Sequence, residues 1–169
     1  MCLVPLAACS VDVGEAESGK NSSVDIRTPV GKLSVRTDVN PADTGLPVYP
    51  GATVAHKDDN DKSANVHVGN SFFGVNVVAA TLESEAPPQA IVDFYKKEMA
   101  AYGAVTECRG EVDFEGSHGS KRPVCKEKAS ARDVELVVGA EDRQRIVAVK
   151  PRGNGSEFAL VYVETHGDR

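Results

Sequence analysis

Gly74-Val-Asn-Val-Val-Ala-Ala-Thr-Leu-Glu-Ser84, then Pro87-Pro88, then Gln89-Ala-Ile-Val-Asp-Phe-Tyr-Lys-Lys-Glu-Met-Ala-Ala-Tyr102 before Gly103, is the stretch that decides the fold. In its first part Val75, Val77, Ala79 and Thr81 alternate with Asn76, Val78, Ala80 and Leu82. Both faces are partly apolar, as expected of a central strand with neighbours and cover. The two prolines suit a first helical turn, where no backbone N–H is needed, and Gly103 suits a C-terminal cap, so the spacing predicts a helix over 89–102. Ile91, Phe94, Tyr95, Met99 and Tyr102 recur at helical spacing, while Asp93, Lys96, Lys97 and Glu98 take the remaining side. A strand followed by one amphipathic helix predicts a helix laid on a sheet.

Upstream, Val24–Thr28 and Lys32–Arg36 alternate apolar and polar residues around Pro29-Val30-Gly31, which reads as a hairpin. After a loop over 38–45, Leu46–Ala52 carries Pro47, Pro50 and Gly51, which forbid a regular helix and predict an extended, docked segment. Asn65–Val68 reads as another strand. Downstream, Val134–Val138, Arg145–Lys150 and Phe158–Val163 are three apolar-rich runs with short connections, as in a meander. The expectation is an α+β domain over 24–169: an antiparallel sheet of about seven strands with one main helix packed on one face.

Composition supports one soluble core. The 169 residues are 41% hydrophobic and 26% charged, with no Trp. No run of eighteen apolar residues could form a spanning helix, and a formal charge of -6 argues against wholesale nucleic-acid binding.

At the N-terminus, Leu6-Ala7-Ala8-Cys9 resembles the lipobox of bacterial lipoproteins. In such proteins small residues before a cysteine allow signal cleavage after the thiol has joined a diacylglycerol bearing fatty acids such as palmitate. The resemblance implies lipidation at Cys9, with 1–9 the truncated end of a signal segment, since only eight residues precede Cys9 and none is basic. The polar run over 10–23 is expected to be a flexible tether. With Cys2 and Cys9 thus assigned, Cys108 and Cys125 remain, which an oxidising periplasm would join across a Gly- and Ser-rich loop. Zinc and redox readings are weaker, because neither cysteine has a Cys-x-x-Cys partner and His118 alone cannot complete four ligands.

Tyr49-Pro50-Gly51-Ala52, followed by Val92-x-Phe94-Tyr95-x-x-x-Met99-x-x-x-Gly103, resembles a small, uncharacterised α+β domain of bacterial secreted proteins and lipoproteins. The resemblance runs roughly from Gly45 to Val163 and implies a fold and a location, without a reaction.

Chemical motifs are sparse. No Gly-x-Ser-x-Gly, P-loop or strand-linked Gly-x-Gly-x-x-Gly is present, and Gly116-Ser-His-Gly-Ser120 falls in the expected cysteine loop. His56, His67, His118 and His166 lack ligand spacing, and Lys57-Asp-Asp-Asn-Asp-Lys62 lacks the calcium-loop register and reads as a hairpin tip. No metal, cofactor or catalytic residue is expected.

One charge asymmetry stands out. Residues 121–152 carry nine basic and five acidic side chains in an otherwise acidic chain. Lys121, Arg122, Arg143, Arg145, Lys150 and Arg152 are the candidates for a patch that meets an anionic envelope component or protein. Reversing Arg143 and Arg145 is then expected to weaken binding and leave stability nearly unchanged. The functional expectation is a non-catalytic, membrane-anchored binding or structural module of the cell envelope, facing the periplasm. The alternative is an envelope sensor or small-ligand carrier with a pocket between helix and sheet; a hydrolase with dispersed residues is the third reading.

Overall fold

The computed structural model describes residues 10–15, 22–28, 31–37, 39–57, 60–61, 63–70, 72–116, 121–127, 132–140 and 142–167. The first strands are β1 (Ser10–Glu15), β2 (Ser22–Thr28) and β3 (Gly31–Arg36), followed by a 3-10 turn at Pro41–Thr44. Three two-residue strands, β4 (Thr53–Val54), β5 (His56–Lys57) and β6 (Asn60–Asp61), lead to β7 (Ser63–Gly69) and β8 (Phe73–Ser84). Helix α1 (Pro88–Met99) ends in a 3-10 turn at Ala100–Tyr102. The chain then forms β9 (Thr106–Glu115), β10 (Arg122–Glu127), β11 (Val134–Ala140), β12 (Arg143–Arg152) and β13 (Gly155–Gly167).

The main sheet runs β1-β2-β3-β7-β8-β13-β12-β11-β9-β10, with β4 added beside the end of β8. Every pairing in it is antiparallel. The long strand β8 lies between β7 and β13, as its two apolar faces require.

The register lines the core up in rungs beneath the helix. Leu82, Phe158, Val149 and Val134 stand opposite one another across four strands, and Ala80, Leu160, Val147 and Leu136 form the next rung. All eight are buried. Ile91, Val92, Tyr95 and Met99 of α1 pack onto them in one cluster, and the Tyr95 and Phe158 rings lie 5.7 Å apart. Each large side chain taken from water here contributes about 1.5–3 kcal/mol. The helix face is therefore a core face. These side chains fill the interval between helix and sheet that a carrier pocket would need.

More strands form than the seven expected. The stretch between the cysteines is mainly a hairpin, β9 with β10, because Val112, Phe114 and Val124 extend the alternation that the intervening glycines obscure. The His56–Lys57 and Asn60–Asp61 pairing makes a small hairpin of the acidic run. Ser10–Glu15, expected within a tether, pairs with β2, placing Val11 opposite Ile26 and Val13 opposite Val24. Its Ser-Val-Asp-Val alternation carries the period of a strand, outweighing the polarity that suggested a leash.

Candidate binding cleft and the residues around it

The segment between the first 3-10 turn and β4 is bound to the helix and sheet through its backbone. Asn40 accepts a hydrogen bond from the Ala42 N–H at 3.0 Å and so caps the turn. Arg145 Nε donates to the Thr44 carbonyl at 3.1 Å, and the Tyr102 hydroxyl donates to the Gly45 carbonyl. Farther along, the Tyr95 hydroxyl donates to the Pro47 carbonyl at 3.0 Å and accepts the Tyr49 N–H at 3.2 Å. Burial pushes the Tyr95 phenol well above its ordinary value, the hydrogen bond from Tyr49 opposing this in part. Edge-to-face contact between Tyr49 and Phe94, centroids 5.1 Å apart, completes the docking.

That strap delivers a turn. The Ala52 N–H donates to the Tyr49 carbonyl at 3.0 Å, Pro50 takes the second position, and Gly51 has φ of 78°. This is the geometry of a type II turn, in which the third position needs positive φ and proline presets the second. Tyr49-Pro50-Gly51-Ala52 is thus a built corner of the fold.

The corner forms one wall of a cleft of about 1020 Å3 at the end of the sheet. The other walls are Glu83–Ala86 at the end of β8 and Arg152–Ser156 around the β12–β13 turn. Arg152 is ion-paired with Glu83 and lies 3.8 Å from Glu157, whose other oxygen is 2.8 Å from Lys150 Nζ. Two cations and two carboxylates therefore form a mutually neutralising network along the rim. The Ser84 hydroxyl accepts the Ala86 N–H at 3.1 Å, and the Ser156 hydroxyl donates to the Ala86 carbonyl at 2.7 Å. Among the described lining residues both serine hydroxyls are thus committed to one backbone residue, and none is a histidine. The lining offers carboxylates, hydroxyls including that of Thr53, an amide from Asn154, a guanidinium and an aromatic edge, groups suited to binding through many small contacts. Among the described residues no group of three His, Cys, Asp or Glu is placed to hold a metal ion.

The six basic candidates do not form one patch. Arg143 and Arg145 lie at the start of β12 on the helix-facing side, whereas Lys150 and Arg152 lie toward its other end with side chains of opposite parity. Arg143 is paired with Glu164 at 2.7 Å, and this hydrogen bond holds the Glu164 carboxyl below the usual range. Arg122 opens β10, and Lys121 directly precedes it. Arg145 has a structural post: its guanidinium lies 3.7 Å from the Tyr102 ring centroid and 4.8 Å from that of Tyr162, a double cation–π stack. Reversing its charge therefore breaks the strap's anchorage, contrary to the expectation of an innocuous surface change. Counting the strand's period places Arg145 on the side of Val147 and Val149, the signal that marks it as inward.

The disulfide joins Cys108 and Cys125, with Cα atoms 5.3 Å apart. Cys108 lies on β9 opposite Glu135 of β11, whereas Cys125 lies on β10 opposite Val112, so the bond ties the hairpin back against the sheet. Cys9 lies outside the described residues, as does His118. No family model, curated protein or solved structure matches this chain.

Proposed function

We propose that this chain is a non-catalytic binding or structural module of the bacterial cell envelope, anchored to a membrane through lipid on Cys9 and presenting its cleft toward the periplasm. The observation that carries this reading is the Cys108–Cys125 bond, with Cys108 only 1% exposed. A structural disulfide, with one of its two cysteines set in the core, belongs to an oxidising compartment. Leu6-Ala7-Ala8-Cys9 supplies the address within that compartment. The committed serines and neutralised rim of the cleft favour binding over catalysis. Arg143, Lys150 and Arg152 already have carboxylate partners, so any anionic envelope partner meets a weaker field than the count of cations suggests.

The test is fractionation of cells expressing the gene with its complete upstream signal. Wild type is expected in the membrane fraction and Cys9→Ser in the soluble fraction. Identical fractionation of the two proteins overturns the anchor.

A further inference from the structure

Five large apolar side chains are exposed among the described residues, and three of them, Val68, Phe72 and Phe73, belong to the β7–β8 hairpin. Phe72 is 70% exposed and Phe73 48%. The tip is well built. Asn70 Oδ1 accepts both the Phe72 N–H at 2.8 Å and the Phe73 N–H at 2.9 Å, and the Asn70 N–H donates to the Phe73 carbonyl at 2.7 Å. Two adjacent phenylalanines held outward by such a turn form a hydrophobic feature with no partner inside the described fold.

The register shows where this tip points. One rung of the sheet runs Ser10, Arg27, Lys32, Gly69, Gly74 and His166 across six strands. Ser10, one peptide bond after Cys9, therefore stands at the same end of the sheet as the tip. Four strand spacings separate them, roughly 19 Å. The cleft is at the other end. Because β8 spans 12 residues, its two ends lie roughly 37 Å apart.

We infer that the Phe72–Phe73 tip inserts into the bilayer interface beside the lipid on Cys9, holding the sheet upright with its cleft away from the membrane. This rests on the anchor reading for its orientation. The occupant is a lipid surface rather than a protein, because a chain lipidated at Cys9 holds its first strand against the membrane, bringing this end of the sheet to it.

The chain has no Trp, so Phe72→Trp introduces a single indole. The full-length protein is reconstituted into phosphatidylglycerol vesicles carrying brominated acyl chains, and the same substitution in a Cys9→Ser background is mixed with those vesicles. Asn154→Trp, on the exposed β12–β13 turn, serves as the control at the cleft end. The indole at position 72 is expected to shift to the blue and to be quenched at least twofold in the lipidated protein, while the one at position 154 is not. Phe72→Ser with Phe73→Ser is expected to lower vesicle binding of the unlipidated protein several-fold.

An unquenched indole at position 72 in vesicle-bound protein overturns the inference even where Cys9 anchors the chain. If Cys9→Ser fractionates like wild type yet the indole is quenched by added vesicles, the anchor fails and the tip's contact with lipid stands. A blue shift that follows protein concentration without vesicles means that a second copy covers the tip, which also overturns it.

Discussion

At the scale of single residues, Tyr95 and Arg145 fasten an otherwise irregular strap through its backbone. Tyr95→Phe keeps the ring against Phe158 but leaves the Pro47 carbonyl and Tyr49 N–H without their partner. The expected loss is about 1–2 kcal/mol, read as a lower urea midpoint at neutral pH. The same residue confers an alkaline dependence. Its pKa is raised in the fold by burial, so its contribution is complete below the unfolded tyrosine value of about 10 and declines as pH rises beyond it. Tyr162 is shifted in the same direction, also chiefly by burial. Tyr95→Phe should therefore flatten the fall in midpoint above that pH; an unchanged slope contradicts the assignment. Gly45, with φ of 76°, would place a Cβ 2.9 Å from Arg145 Nη2. Gly45→Ala should destabilise by at least about 1 kcal/mol, since it combines left-handed strain with displacement of the stacked guanidinium. Arg145→Glu should lower the thermal midpoint, whereas Arg143→Glu, at an exposed ion pair, should move it little.

At the scale of elements, the hairpin β9–β10 depends on its disulfide. The bond spans a sequence separation of 17, for which the chain-entropy estimate is about 3 kcal/mol. Cys108→Ala with Cys125→Ala should lower the denaturation midpoint accordingly; equal midpoints with and without reductant would show that the bond is idle. The helix and the strands on which it lies were legible because Ile91, Tyr95, Met99, Leu82 and Phe158 follow clean periods of 3.6 and 2. The cysteine stretch was misread as loop because Gly110 and Gly116 interrupt the alternation of Val112 and Phe114. Ser10–Glu15 was misread because polarity was weighed above alternation. The two-residue strands β4, β5 and β6 are too short to leave a period at all.

At the scale of the whole molecule, the cleft was not legible, since its walls come from three distant stretches that only the register of β8 against β13 brings together. Only its Tyr49-Pro50-Gly51-Ala52 corner announced itself, through turn chemistry. The basic residues were legible as a cluster in sequence but not in space, because a strand displays its ends far apart and its neighbours on opposite faces. Viewed along β8, the molecule has two ends with different surfaces: bare aromatic side chains at the end where β1 starts, and a polar cleft rimmed by ion pairs at the other. Lipid at Cys9 is the claim that gives those ends a direction. It is tested most directly by mass spectrometry of the N-terminal peptide from membrane-purified protein expressed with its full signal. Lipidation yields a peptide that begins at Cys9 and carries the added mass of a diacylglycerol; a peptide reading through Cys9 with an unmodified thiol overturns the anchor.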